Sequence, residues 1–256
     1  MSSILSPIKV VTYNIHKGMS PLNRYVRLYS IATALQQLDI DTIFLQEVQG
    51  DNRHRTKKFL NFPSLAQHNF LAEALALNAT YGKNALYADK HHGNAILSRF
   101  PLGINHNLNI SVNNHEQRGI LHCSFKPYIW PVKVVSLCAH LNLLHHDRVK
   151  QYHALIDYIN NKIDPDLPLI LAGDFNDWHN KASAVLRQEL GLTEAHIHKF
   201  GAPAKTFPAK MPVLTLDRIY VRHLLPLQTE VLNGIVWRDL SDHLPLCTTL
   251  VLNLKK

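Results

Sequence analysis

The chain has 256 residues, 46% hydrophobic and 18% charged, the composition of a folded globule long enough for one large sheet-based domain. No apolar run approaches the length needed to cross a bilayer, and the opening MSSILSPIKVVTYNI lacks the basic start, apolar centre and small-residue cleavage site of a signal peptide. Lys and Arg outnumber Asp and Glu by 27 to 19, a formal +8, which favours anionic partners: nucleic acid, phospholipid headgroups or phosphorylated metabolites.

Residues 8–15, IKVVTYNI, form the first buried strand, closing on Asn14. Residues 24–38 carry Leu28, Ile31, Ala32, Leu35 and Leu38 at helical spacing, a helix with one buried face. DTIFLQEV, 41–48, is a second buried strand and ends near Glu47; the basic loop DNRHRTKK follows, and a second amphipathic helix covers 65–77. NALYA, GNAILS, LGINHNLNI, ILHCSF and VKVVSLCAH read as closely spaced strands divided by Gly, Pro and Asn turns, the last ending at His140. A helix with Asp147 as its N-cap runs on through Val149, Tyr152, Leu155, Ile156 and Ile159.

LILAGDFNDW, 169–178, comes next: a short apolar run bounded by Pro168 and followed by Asp174, Asn176 and Asp177. Taken alone, G-D-x-N-D also describes an Asx-rich turn. A short helix near 181–190, a loop rich in Pro and Lys, and the strands LDRIYVR, LPLQTEVL and HLPLCTTLVL complete the chain. There is no repeat and no composition break, so one domain over 1–256 is expected, built as two sheets packed face to face with helices outside. The three cysteines, Cys123, Cys138 and Cys247, have no paired spacing and sit in apolar stretches, which points to reduced core thiols and a cytoplasmic home.

The polar groups at strand ends share a chemistry. They are Asn14, Glu47, His140, Asp174, Asn176, Asp217, Asp242 and His243. Singly, each has an ordinary explanation as a cap, a turn or, for Asp217, an ion pair with Arg218. Together, the oxygen ligands Glu47 and Asp242, with Asn14 in reach, suit Mg²⁺ or Mn²⁺, and no Cys pair or His-x-x-x-His spacing supports structural zinc.

The motifs TYNIH, LQEV, GNAILSRFP, SLCAHLN, LAGDFND, LDRIYV and SDHLPL occur in that order from residue 12 to 246. In this the chain resembles the endonuclease/exonuclease/phosphatase superfamily of deoxyribonuclease I, the abasic-site endonucleases, neutral sphingomyelinases and inositol-polyphosphate 5-phosphatases. The resemblance implies a four-layer α/β/β/α sandwich and metal-dependent hydrolysis of phosphate esters. It implies Glu47 as principal metal ligand with Asn14 and Asp242, and Asp174 as the carboxylate that orients or deprotonates water. It further implies that Asn176 and His140 hold the phosphate, that His243 meets it with Asp217 as orienting partner, and that Arg118 and Asn142 lie near the substrate. A phosphodiester is already anionic and attack by water adds charge, so a divalent ion and fixed donors must offset it, and water needs a base. Whether Asp174 or His243 takes that proton is left open by the sequence.

The chain also departs from the abasic-site nucleases. His16 stands where they carry a carboxylate two positions after the first-strand Asn, and Gln46-Glu47-Val48 replaces their QET. Arg53 and Lys57 of the basic loop are expected to overhang the metal site, and Trp237 and Arg238, just before SDH, to touch the substrate. The expectation is a phosphodiester hydrolase with nucleic acid favoured over a phospholipid or small phosphodiester; a catalytically silent binding module of the same fold is the third reading, against which the intact motif residues speak, and peripheral membrane contact is left open.

Overall fold

The computed structural model describes residues 6–87 and 89–253. Its elements in chain order are β1 (Ile8–Asn14), a 3-10 turn (His16–Gly18), α1 (Leu28–Gln36), β2 (Thr42–Asn52), α2 (Arg53–Lys58), α3 (Gln67–Leu75), β3 (Asn78–Leu86), β4 (Lys90–Ser98), β5 (Leu102–Asn109), β6 (Gly119–Phe125) and β7 (Val134–His140). They continue with α4 (His145–Lys162), β8 (Leu169–Asp174), α5 (Ala182–Leu190), β9 (Thr193–Glu194), α6 (Ala195–Phe200), β10 (Asp217–Arg222), β11 (Leu224–Val231), α7 (Ile235–Arg238) and β12 (Leu246–Leu252).

The strands form two six-stranded mixed sheets, in the orders β11-β12-β1-β2-β4-β3 and β5-β6-β7-β8-β10-β9. Each holds one parallel pair at its centre, β1–β2 and β7–β8, bridged by α1 and α4 respectively. These parallel strands are the uninterrupted apolar runs of the sequence, as expected for strands covered on both faces. Phe44, Ile96, Leu121, Ile170, Ile219 and Leu246 fill the space between the sheets. Leu28, Ile31 and Leu35 of α1 and Leu71 of α3 cover one outer face, and Leu155, Ile159 and Leu186 of α4 and α5 cover the other. The layers are therefore α/β/β/α, as the resemblance implied.

Close approach of β7 and β8 depends on Gly173. Its φ is +151°, and a Cβ there would lie 1.9 Å from the Ala139 carbonyl oxygen, so only glycine fits.

Several expectations are revised locally. α1 is shorter than 24–38, because residues 19–26 close a small loop through a Met19–Val26 bridge. α4 starts at His145, so Asp147 is not its N-cap. Its carboxylate is buried and accepts from Asn113 and Asn142 at 2.9 and 3.1 Å. DNRHRTKK is not a loop. Asp51 and Asn52 end β2, and the rest is the short helix α2, capped by the Asn52 side chain accepting from Arg55 N. Of the strand read at NALYA, Asn84, Ala85 and Leu86 belong to β3, and Ala88 lies outside the described residues. Among the described residues no helix is long and apolar enough to cross a membrane.

Candidate active site

Both parallel pairs deliver polar groups to one end of the sandwich. Asn14 ends β1, His140 ends β7 and Asp174 ends β8, while Asp217 opens β10, which runs antiparallel beside β8. The Asn14 amide donates to Asp174 Oδ2 at 3.0 Å and so ties the two sheets together. Glu47 arrives by a different device. The β2–β4 register breaks between Leu45 and Val48, and Glu47 takes a φ of +57° within that bulge. A bulge re-aims one side chain, and left-handed backbone at a non-glycine residue costs about 1–2 kcal/mol. His16, Lys17 and Asn176 share this conformation, with φ of +45°, +60° and +49°. Strain of this kind gathers at functional sites.

These side chains surround a cavity of about 260 Å³. Asn14, Glu47, Arg118, His140, Asp174 and Asn176 line it together with Asp242 and His243. Leu143, Trp178, Phe207, Leu214 and Leu216 form its apolar side. Trp178 is held there by cation–π contact with the Arg148 guanidinium, 4.8 Å from the ring centroid.

His243 Nδ1 lies 2.8 Å from Asp217 Oδ2, which also accepts from Thr206 Oγ1 at 2.5 Å. Arg218 meets only the backbone oxygen of Asp217, so the carboxylate serves His243 and not an ion pair with its neighbour. On the other side, His243 Nε2 and His140 Nε2 are 3.7 and 3.5 Å from Asp174 Oδ2. Burial would discharge His243, but Asp217 and Asp174 more than reverse this and push it up to about 10. Burial, joined by the Asp217 charge, pushes the Asp174 carboxyl up to about 6, although His243 and Asn14 pull it down. Burial, then the Arg118 charge, hold His140 well below the usual imidazole range. Near pH 7 the trio therefore sits as an ionised Asp174 between a neutral His140 and a protonated His243. Asn176 N fixes the other Asp174 oxygen at 3.0 Å, and its amide donates to Leu141 O at 2.9 Å. Arg118 pairs with Glu116 at 3.1 Å and keeps a buried Nε without a partner.

Glu47 and Asp242 are the second acidic group of the cavity. Burial alone would raise both carboxyls. Lys17, 2.6 Å from Glu47 Oε2, and then His140 hold Glu47 far below the carboxylate range, and His16 holds Asp242 down. The tautomer of His16 follows from Arg55. A guanidinium has no acceptor, so the Asn23 atom 2.7 Å from Arg55 Nη2 is the amide oxygen. Asn23 Nδ2 then donates to His16 Nε2 at 3.0 Å, and the ring proton sits on Nδ1, 3.1 Å from Asp242 Oδ2. His16 is thus a donor that orients Asp242.

Two sets of side chains could hold a metal. Asp174, Asp217 and His243 each offer a ligand atom within 4.8 Å of the others. Asp217 Oδ2 accepts two hydrogen bonds, which suits this trio to proton handling, while the buried Asp217 Oδ1 has no partner and stays open to a ligand. Asn14 Oδ1, Glu47 and Asp242 are hard oxygen donors with both carboxylates ionised, and they fit Mg²⁺ or Mn²⁺.

Other residues expected at the site lie elsewhere. Asn142 is fully buried and spends its amide on Asp147 and Gln151. Arg53 is exposed and 3.8 Å from Asp51, and Lys57 is exposed; neither lines the cavity. Trp237 packs edge-on against Tyr13 with centroids 5.9 Å apart, and Arg238 donates to Asn233 at 3.0 Å. Sequence reasoning missed Lys17, Thr206 and Trp178. A basic residue directly after TYNIH was a signal for the first, and Trp178 directly after GDFND for the last; Thr206 carried none.

Comparison with known proteins bears on the fold and the family. YbhP of Escherichia coli (strain K12), an uncharacterized protein, is 39% identical over 238 residues, covering 93% of this chain and 94% of its own. The structure of D. rerio TDP2 complexed with single strand DNA product superposes with a TM-score of 0.69 at 16% identity, covering 96% of this chain and 99% of that one. The Bacteroides thetaiotaomicron mannosyl-6-phosphatase Bt3783 superposes with a TM-score of 0.72 at 20% identity, covering 96% and 100%. The model of the endonuclease/exonuclease/phosphatase family matches residues 11–243, and the chain belongs to that family.

Proposed function

We propose that the protein is a divalent-metal-dependent phosphodiester hydrolase, with nucleic acid the first substrate class to try. The observation that carries this reading is the charge arrangement at the cavity. An ionised carboxylate, Asp174, stands between Asn14, Asn176 and two imidazoles, and two further carboxylates, Glu47 and Asp242, lie beside them. The phosphoryl group sits between His140, His243, Asn176 and Arg118, whose donors meet its oxygens. Asp174 is the base for the attacking water, because its carboxyl titrates near 6 and it is already ionised at neutral pH. His243 meets the phosphate as an imidazolium held by Asp217 and stabilises the charge that develops on it. Asn14, Glu47 and Asp242 would hold a Mg²⁺ or Mn²⁺ ion, which would supply Lewis-acid stabilisation of the charge that develops in the reaction.

The apolar side of the cavity supports a second reading, the same chemistry on a phospholipid or small phosphodiester. Leu143, Trp178 and Leu214 give a leaving group with hydrocarbon or ring faces a surface to rest on. The test is a profile of hydrolysis over single- and double-stranded oligonucleotides, phospholipid vesicles and bis(p-nitrophenyl) phosphate with Mg²⁺ and with Mn²⁺. Turnover that persists in EDTA, or no hydrolysis of any phosphodiester, overturns the proposal.

A further inference from the structure

A second groove opens on the far side of Glu47, and the reaction as derived makes no use of it. Its volume is about 480 Å³, larger than the reaction cavity. We propose that it is an anion subsite, which takes a phosphate group of the substrate lying one sugar- or glycerol-sized unit from the scissile phosphodiester. The inference rests on the phosphodiesterase reading and narrows its substrate class.

Position is the first argument. The groove floor is the continuation of the β2–β4 ladder, where Gln49 stands opposite His92 and Asn52 opposite Lys90. Gln49 follows Glu47 by two residues and Asn52 by five. At about 3.3 Å per strand residue the floor runs from roughly 7 to roughly 16 Å beyond the metal-facing carboxylate. Lys17 belongs to both spaces, since it lines the groove and pairs with Glu47 at 2.6 Å.

Charge is the second. Lys17, Arg55 and Lys90 line the groove against one carboxylate, Asp89; with Lys17 already paired to Glu47, Arg55 and Lys90 leave a surplus of one positive charge. A terminal phosphate carries about −1.5 to −2 at neutral pH and complements that surplus. A divalent cation has no comparable seat there.

Donor supply is the third, and it separates a built site from a merely basic surface. Asn52 Oδ1 and Gln49 Oε1 are both taken by Arg55, accepting from its N and Nη1 at 2.9 Å. Their amide NH₂ groups are the ends left for a ligand. Lys90 Nζ lies over the Tyr87 ring, 5.2 Å from its centroid, and no acceptor engages it among the described residues. Arg55 is pinned by Lys17 O, Gln49 and Asn23, so the cationic wall is rigid before any ligand arrives. Burial depresses Arg55, a penalty that an anion alongside would relieve.

The experiment compares paired probes that differ only by a second phosphate. TpT is set against pTpT and TpTp, and glycerophosphoinositol against its 4-phosphate, so that a polynucleotide and a phosphorylated headgroup are separate arms. Binding is read by calorimetry with Ca²⁺ in place of Mg²⁺, without turnover, and KM is then read with Mn²⁺. In at least one arm the second phosphate should tighten Kd and lower KM about tenfold, and the arm that responds names the source. The ratio should fall to near one in Lys90→Ala and in Asn52→Asp, which keeps the α2 cap but replaces the amide donor. It should persist in Lys150→Ala on α4. Equal affinity for both members of every pair, or a ratio that survives Lys90→Ala and Asn52→Asp, overturns the subsite even if the enzyme hydrolyses bis(p-nitrophenyl) phosphate well. Loss of all phosphodiester hydrolysis with intact pairwise discrimination in the calorimeter instead overturns the reaction and keeps the subsite.

Discussion

Asp217→Asn keeps the shape of the Asp217 carboxylate and removes its charge, and it asks whether His243 works through that charge. The contact is 2.8 Å and both side chains are buried, so water screens it little. Against the opposing effect of burial, Asp217 and then Asp174 lift His243 from an ordinary 6.5 to about 10. At about 1.36 kcal/mol per pKa unit, the net hold on the ring proton is on the order of 5 kcal/mol, with Asp217 the largest of the favourable contributors. An imidazolium that stabilises the phosphoryl charge contributes about 10²–10⁴-fold, the range of general acid–base groups, so His243→Gln should lower kcat/KM by that factor. Asp217→Asn should cost somewhat less and should move the alkaline limb of the pH–rate profile from about 10 down toward the ordinary imidazole range. Because the pair acts as a unit, the double variant should lose about as much as His243→Gln alone. Independent action predicts the product of the two losses. The assay is bis(p-nitrophenyl) phosphate hydrolysis at saturating Mn²⁺ across pH, with circular dichroism on each variant. A multiplicative double loss together with an unmoved alkaline limb refutes the dyad and leaves Asp217 as a partner of Thr206 only.

Further outcomes follow from single contacts. Glu47→Gln should weaken Mn²⁺ binding at least tenfold by calorimetry while preserving the fold, since it removes charge without shape; undiminished affinity would remove Glu47 from the metal site. Asn23→Asp should present an acceptor to His16 Nε2 while Asp242 keeps its acceptor at Nδ1, so that both ring nitrogens carry protons and the Nε2 ¹⁵N shift moves into the protonated range; an unchanged Nε2 shift would refute the tautomer derived from Arg55. Gly173→Ala should destabilise by about 3–5 kcal/mol in urea unfolding, because its Cβ meets a backbone oxygen at 1.9 Å where φ is already +151°; a loss under 1 kcal/mol would contradict the β7–β8 spacing. His68, stacked on Tyr81 with centroids 4.4 Å apart, is depressed to about 4 by burial and then by His91. The unfolded ring takes its proton near 6.5, so stability should be intact above that pH and fall between 6.5 and 4, and His68→Phe should flatten the slope in that window.

Much of the site was legible because its side chains follow buried strands. An apolar run of six or seven residues that stops at Asn14, His140 or Asp174 announces both a strand and the place where its end meets water, and the structure has each of them at the cavity. The alternation of strands and helices likewise foretold two sheets with helices outside. What resisted reading was decided by contacts distant in sequence. Asn142 follows His140 by two residues, yet Asp147 and Gln151 of α4 draw it away from the cavity. Asp147 looked like a helix cap because Asp is a good one, but burial beside Asn113 and Asn142 outweighed that propensity. α6 and α7, six and four residues long, are too short for an apolar period to show. The cap of α2, by contrast, was available in the sequence: Asn52 precedes Arg53 and accepts from Arg55 N.

The bulge containing Glu47 shows why the basic segment after it was misplaced. Extrapolated as an irregular loop, Arg53 and Lys57 would overhang the carboxylate a few residues before them. β2 instead runs on for five residues past Glu47 to Asn52, and the chain then coils into α2. A helix turns about 100° per residue, so Arg53, Arg55 and Lys57 cannot share one face as they would on a strand. Only Arg55 is aimed back along β2, where Gln49 and Lys17 O hold it, while Arg53 turns to Asp51. The cations that flank Glu47 are therefore Lys17 from the turn after β1 and Arg55 from α2, and Lys90 joins them from the neighbouring strand. Three elements far apart in sequence supply one each. No local charge run could have displayed that convergence, and it is the reason a charge-removal test belongs at Lys90 rather than at Arg53 and Lys57.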